Sequence, residues 1–378
     1  MKILQVSPYF HPHVGGVESH VLALSRGLVE LGHDVKVLTA NHSNELPEKE
    51  KFEGIEIIRV PTFGSPFNTP INPGIFFRIK KIDFNIAHLH FPPPLTSFFA
   101  SLSLVKLRKP YVLTYHCDVE LAIPLGNLIV EIYRGTMGRY TVEHAAKLIV
   151  HTRTYQATSR TIWDLEPEII PSAVDTERFS PEKFSAELKK KYGNSRIVLF
   201  VGRLVYQKGV SFLIEACRHL PEDVVLLIVG EGPEMENLKK LVKIRNLEER
   251  VVFLGRVSYF ELPVYFATCD VFVLPSVSRL EAFGLVIVEA MASGRPVVVT
   301  DIPGVNEVVE EGKEGLLCKP MNPEDLAEKI GRILENPELG RKLGENGRRK
   351  VLEKYHWKKI AKEVERVYLD VLCAEPQT

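Results

Sequence analysis

Twelve short runs rich in apolar and β-branched residues alternate with helix-length stretches from one end of the chain to the other, and they fall into two series. The first is KILQVS, DVKVLTA, IEIIRV, IAHLH, YVLTYH and KLIVHT; the second is RIVLFVG, VVLLIVG, VVFLGR, DVFVLP, PVVVTD and GLLCKP. Near-continuous apolar strands joined by crossovers long enough for helices read as parallel sheets covered on both faces. The expected fold class is therefore α/β, built from two Rossmann-like, doubly wound parallel sheets. Between the series, IIPSAVDTERFSPEKFSAELKKKYGNS breaks the strand periodicity with proline, charge and small residues, which places a domain boundary near residue 175. The chain's 378 residues exceed what one core usually supports, so domains over 1–174 and 175–355 are expected. The remaining segment, 356–378, contains WKKIAKEVERVYLDVL, with apolar residues at Ile360, Val364, Val367 and Leu369 to Leu372. That pattern gives a helix with one buried face, expected to cross back onto the first domain.

Composition narrows the function. Hydrophobic residues at 45% and charged residues at 25% are ordinary for a soluble globular protein, and a formal charge of zero gives no electrostatic basis for a nucleic-acid partner. The start, MKILQVSPYF, lacks a signal-peptide pattern, and no run reaches about 18 apolar residues, so a cytoplasmic protein is expected. Its five cysteines are scattered with no C-x-x-C pair, which fits reduced thiols rather than zinc ligands or disulfides. With no H-E-x-x-H and no D-x-D, neither a metal site nor a cofactor is expected. The absence of G-x-S-x-G removes the serine-hydrolase reading.

Doubly wound sheets bind ligands beyond the carboxyl ends of their strands, so chemistry is sought there, in a cleft between two facing domains. In SRLEAFGLVIVEAMASGRP, Glu281 and Glu289 stand eight positions apart. On one helix they would be separated by about 12 Å of rise and about 80° of rotation. That is too far for a paired-carboxylate glycosidase, which needs roughly 5 to 9.5 Å. Gly284 instead suggests a helix start, with Glu281 on the loop before it, Glu289 about a turn inside, and the amides of Phe283, Gly284 and Leu285 at an anion site. A solvated face carrying two incidental acids fits Glu289 poorly, because VIV and AMA around it look buried.

In VGRLVYQKG, Arg203 and Lys208 follow a strand without forming a Walker loop or a G-x-G-x-x-G fingerprint. Two cations there suit a diphosphate, though surface ion pairs would use the same residues. Gly15 and Gly16 in PHVGGVESHV directly precede an amphipathic helix. Either they let backbone amides approach a phosphate, or they serve a tight turn needing positive φ. His20, one turn into that helix, could face the cleft or the surface. His116 ends the strand YVLTYH at the sheet's functional edge; His88 and His90 share one face of another strand, and His11 and His13 flank Pro12.

Taken together, GGVES, the YH at 115 to 116, GRLVYQKG, GEGPE and EAFGLVIVEAMASGRPVV resemble the retaining, nucleotide-sugar-dependent glycosyltransferases of family 4, which have the GT-B fold. The resemblance covers nearly the whole chain. It implies an acceptor-binding first domain and a donor-binding second domain. It also implies that Arg203 and Lys208 bind the donor diphosphate, Glu289 the ribose hydroxyls and Glu281 the hydroxyls of the transferred sugar. Phe283, Gly284 and Leu285 would offer amides to sugar and phosphate, Gly15 and Gly16 would approach the phosphate from the first domain, and His116 would lie beside the reacting carbon. Base recognition is expected around Gly255 and Arg256. Catalysis is assigned to His116, Glu281, Arg203 and Lys208, without metal. The sequence departs from the family at Ser172 and Ala173, where Asn-Gly is common.

Within the family, PHVGGVESHV, RLVYQKG and GEGPEME most resemble the phosphatidylinositol N-acetylglucosaminyltransferase catalytic subunit and prokaryotic lipid glycosyltransferases. That favours a UDP-sugar, with GDP-mannose the other donor, and an acceptor sugar or lipid-linked acceptor. Phe76, Phe77, Phe98 and Phe99 lie close to Arg78, Lys80, Lys81, Lys106 and Arg108, which suits peripheral contact with an anionic bilayer or, equally, core-facing helices with basic ends. Two rivals are a GT-B sugar-nucleotide epimerase and a non-catalytic sugar-nucleotide-binding subunit of a membrane assembly.

Overall fold

A computed structural model describes every residue except Val14, Asn44, Ala122, Asn194 and 375–378, so Val14 of the glycine-pair motif and the last four residues of the 356–378 segment lie outside it. The chain divides into two compact units, one formed by residues 1–173 with the last helix (Trp357–Cys373), the other by residues 174–356.

The first unit is an eight-stranded sheet. Its strands are β1 (Lys2–Val6), β2 (Asp34–Ala40), β3 (Lys49–Phe52), β4 (Ile55–Val60), β5 (Ile86–Phe91), β6 (Tyr111–Tyr115), β7 (Lys147–Val150) and β8 (Glu168–Ile169), in the order β3-β4-β2-β1-β5-β6-β7-β8. The six expected strands are all present and parallel to their neighbours among themselves. Two were not expected. Strand β3, KEKF, pairs antiparallel with β4 across the turn at Glu53 and Gly54, both at positive φ. Its alternating charges carry no apolar signal, and such charged, short strands suit a sheet edge. Strand β8 is only two residues long, too short for any periodicity to show.

The last helix buries Trp357, Ile360, Ala361, Val364, Val367 and Tyr368, a stripe at helical spacing. It packs on the first helix, Gly16–Glu30, where a Cβ at Gly27 would lie 2.5 Å from the Cβ of Ala361. His33 Nε2 and Glu365 Oε1 meet at 2.7 Å along the same seam. Leu369 and Leu372, expected on the buried face, are exposed instead: Leu369 sits off the stripe set by 357, 360, 364 and 368, whereas Leu372, four residues after Tyr368, is in register with it but lies in the last turn of the helix.

The second unit is a six-stranded sheet of β9 (Arg196–Val201), β10 (Val224–Val229), β11 (Val251–Gly255), β12 (Val271–Leu274), β13 (Val297–Thr300) and β14 (Gly315–Cys318). Their order is β11-β10-β9-β12-β13-β14, and every pairing is parallel. The order in which successive strands are laid across the sheet reverses at β1 in the first sheet and at β9 in the second. These topological switch points are where doubly wound sheets open a crevice for ligands.

Candidate active site

In the second unit, the loops leaving β9 and β12, neighbours at the switch point, bring together residues far apart in sequence. Arg203 is exposed two residues after β9, and Lys208 follows in a short 3-10 turn. Gly209 closes that turn at φ 66°, and a Cβ there would lie 2.0 Å from the Pro275 carbonyl oxygen. The loops therefore approach closely because this position lacks a side chain. Val277 N–H donates to the Gln207 carbonyl at 2.9 Å and fixes their register.

Across this contact Lys208 Nζ forms an ion pair with Glu281 Oε2, both side chains being mostly shielded from solvent. Ser276 Oγ donates to the same carboxylate oxygen at 2.9 Å. The Ser276 carbonyl in turn accepts from Thr300 Oγ1 at 2.5 Å, so the arrangement is anchored to β13. A cation at the end of one strand and a carboxylate at the end of the next can address the diphosphate and hydroxyl parts of one ligand.

Gly284, at φ 72°, caps the helix Leu285–Ala292. Glu281 thus stands on the preceding loop and Glu289 in the helix, and Gly284 and Leu285 stand at a first turn whose amides have no intrahelical acceptors. Phe283 is buried and packs edge-on to Tyr355 with centroids 5.6 Å apart. Glu289 is buried as well, and burial pushes its carboxyl up to about 8, with Arg178 the opposing influence. The Arg178 guanidinium lies 3.9 Å over the Tyr259 ring. Gly255 has φ 64° and its carbonyl accepts from Gly230 N–H at 2.8 Å; Arg256 is exposed, 3.5 Å from Glu231.

In the first unit, Gly15 is extended at φ −170°, so the positive-φ explanation of the glycine pair does not apply. A Cβ at Gly15 would meet the Glu18 carboxylate at 2.4 Å, whereas one at Gly16 would meet nothing within 4 Å. Gly16→Ala is therefore expected to change stability by less than about 0.5 kcal/mol. Gly209→Ala is expected to cost more than about 1 kcal/mol, because its conformation and its space are both closed to a side chain. Chemical denaturation of the two variants checks the contrast.

His116 follows β6, its N–H donating to the Phe91 carbonyl at 2.7 Å, and it is buried with His88, His90 and His151. His20 is buried too, not on the surface; its Nδ1 accepts from Ser172 Oγ at 2.9 Å and from Ala173 N–H at 3.2 Å. The two residues that depart from the family's Asn-Gly are thus the ones that hold His20. His11 and His13 stand apart, stacked on Phe52 and Tyr9 respectively.

Ser276 and His151 escaped the sequence reading. His151 ends KLIVHT as His116 ends YVLTYH, and that parallel was the available signal. Of the aromatic and basic residues near 76–108, Phe77 is exposed and Lys80 lies 4.5 Å over the Phe76 ring. A larger apolar face, not singled out from sequence, is formed by exposed Leu128, Ile129 and Ile132 on the helix Gly126–Tyr133. Among the described residues, no helix is long and apolar enough to cross a membrane.

Comparison with known proteins bears on this arrangement. The family profile Glycosyltransferase Family 4 matches residues 14–178, and Glycosyl transferases group 1 matches residues 182–350. An uncharacterized glycosyltransferase of Methanocaldococcus jannaschii is 30% identical over 377 residues, covering 97% of this chain and 98% of its own. The phosphatidyl-myo-inositol mannosyltransferase of Mycobacterium leprae is 30% identical over 380 residues, covering 97% and 96%. Among solved structures, sucrose-phosphate synthase from Thermosynechococcus elongatus is similar with a TM-score of 0.82 at 25% identity, over 99% of this chain and 100% of that one. Matches along both units, on two doubly wound sheets, establish that the chain belongs to the family 4 glycosyltransferases of the GT-B fold.

Proposed function

We propose that the protein is a retaining glycosyltransferase that moves a hexosyl or N-acetylhexosaminyl group from a nucleoside diphosphate sugar, preferably a UDP-sugar, to the hydroxyl of a lipid-linked acceptor. The observation that carries this reading is the Lys208–Glu281 pair, steadied by Ser276 at the end of β12. On donor binding, Lys208 turns to the diphosphate beside Arg203, and Glu281 accepts from hydroxyls of the transferred sugar. Gly284 and Leu285 offer their amides to sugar and phosphate, Glu289 takes the ribose hydroxyls, and the open space at Gly16 admits a phosphate oxygen to its amide.

In the reaction, the bond between the anomeric carbon and the leaving phosphate oxygen breaks as the acceptor oxygen adds on the same face. The acceptor proton passes to that phosphate oxygen. Arg203 and Lys208 stabilise the charge that develops there, the role a metal ion plays in other transferases. A lipid-linked acceptor is supported by the similarity to the phosphatidyl-myo-inositol mannosyltransferase and by the exposed apolar face at Leu128, Ile129 and Ile132, with Arg134 and Arg139 following it in sequence. A cytoplasmic protein with peripheral membrane contact fits that surface.

Calorimetric titration with UDP-, GDP- and ADP-sugars in excess chelator tests the donor. We expect a UDP-sugar to bind, GDP-mannose being the second to try, and Arg203→Ala with Lys208→Ala to weaken binding at least about 100-fold. Binding only after Mg²⁺ is added would overturn the metal-free reading, and binding of no nucleotide sugar would overturn the donor assignment. Gly16→Ala is expected to lower transfer without lowering the melting temperature.

A further inference from the structure

The first unit holds an unusual concentration of imidazoles, and one chain of hydrogen bonds runs through four of them. His151 Nδ1 lies 3.1 Å from the Ile170 carbonyl oxygen, and His151 Nε2 lies 2.9 Å from His116 Nδ1. His116 Nε2 lies 3.2 Å from His90 Nδ1. Gln5 bridges His90 Nε2, at 2.8 Å, to the Tyr368 hydroxyl, at 3.1 Å. Tyr368 Oη lies 2.6 Å from His88 Nδ1, and His88 Nε2 lies 2.7 Å from Thr114 Oγ1.

A carbonyl can only accept, and that fixes the direction of the chain from one end. His151 must carry its proton on Nδ1, so its Nε2 accepts when the ring is neutral. His116 must then donate from Nδ1 and accept at Nε2, and His90 must donate from Nδ1. At Gln5 the placement of oxygen toward His90 and nitrogen toward Tyr368 would require a second proton on His90. With neutral rings the amide is turned end for end, so that NH₂ donates to His90 and the oxygen accepts from Tyr368. His88 then donates to Tyr368, and Thr114 donates to His88. Either way His116 has the same tautomer, Nδ1–H with a bare Nε2. Burial holds these rings below the ordinary imidazole range, His151 to about 4 and His88 to about 3. Burial also pushes the Tyr368 phenol up, which keeps it a neutral hydroxyl.

We propose that His151 is a positioning residue for sugar transfer: anchored on the Ile170 carbonyl, it fixes the tautomer and ring orientation of His116, whose two nitrogens are both engaged within the protein. His116 accordingly takes no part as a proton acceptor, and its contribution at the sugar depends on where the chain holds it. This rests on the transferase reading for the activity measurements, while the tautomer can be read without activity.

Ring ¹⁵N spectra of the full-length protein test the assignment. The expected result is a His116 protonated at Nδ1, bare at Nε2, and unchanged from pH 8 to pH 6. Protonation at Nε2, or an imidazolium at pH 7, would overturn the proposal whether or not any sugar is transferred. His151→Phe removes the acceptor for His116 and is expected to lower kcat about 10- to 100-fold, with donor KM within about twofold of the parent. His151→Gln, whose amide can donate to Ile170 and accept from His116, is expected to restore most of that loss together with the Nδ1–H signature. Equal kcat in all three proteins would overturn the positioning role. If the Phe variant does not fold, the Gln variant decides: an Nδ1–H ring with near-parental kcat supports the proposal, and a switched tautomer at full kcat sinks it.

Discussion

Glu281→Ala is expected to lower turnover by about two to three orders of magnitude, the usual effect of losing a group that acts on the reacting sugar. Nucleoside diphosphate binding should survive the change and tighten. The reason is the ion pair: in the free protein the Lys208 ammonium is held by Glu281, and a diphosphate must compete for it. Removing the carboxylate frees the cation and takes a negative charge away from an anion site, a gain of about 1 kcal/mol for a pair of this partial exposure, or roughly fivefold. Lys208→Ala does the reverse. It leaves Glu281 uncompensated and facing the diphosphate, so nucleotide affinity should fall by more than about 30-fold. The two changes are therefore not additive, and the double variant should bind nucleotide better than Lys208→Ala alone. Titrations of the three variants with a nucleoside diphosphate check the cycle. Loss of nucleotide affinity in Glu281→Ala equal to that in Lys208→Ala would show that the two side chains do not divide the ligand as proposed.

The second large effect concerns Glu289. Its carboxyl is raised by burial from 4.5 to about 8, while in the unfolded chain it titrates near the ordinary value. Below pH 4.5 it is protonated in both states and contributes no pH dependence. Between pH 4.5 and about 8 the folded protein keeps a proton that the unfolded chain has released, so stability falls as pH rises through this window. The full loss corresponds to about 5 kcal/mol. Glu289→Gln has nothing to ionise, so the stability of the variant relative to the parent should climb by an amount of that order from pH 4.5 to pH 8.5. Urea denaturation at a series of pH values measures the difference. Parallel profiles for the two proteins would show that Glu289 is not held protonated by its surroundings.

How far the sequence discloses this molecule depends on which interactions are local. The twelve strands were legible because burial on both faces writes continuous apolar runs such as VVLLIV, and the helix start at Gly284 was legible because a glycine there directly precedes the apolar run LVIVEAMA. Strand β3 was not, since an edge strand of alternating charges carries no apolar signature. The last helix showed its stripe, but Leu369 was misplaced because hydrophobicity alone does not reveal which side of a helix meets its neighbour, and Leu372, in register with the stripe, is exposed in the last turn. Lys208 and Glu281 could each be picked out as candidates from motif context. Their pairing could not, because it depends on two loops 73 residues apart meeting at Gly209, a contact made by backbone. His151 and Gln5 were passed over for the same reason: their importance lies in the partners the sheet places beside them.

The most direct test of the account is a crystal structure of the protein with an intact UDP-sugar. The predicted result has diphosphate oxygens within hydrogen-bond distance of Lys208 Nζ and the Arg203 guanidinium, Glu281 turned to the hydroxyls of the sugar, and Glu289 on the ribose. A nucleotide bound away from β9 and β12, with Lys208 still paired to Glu281, would contradict it.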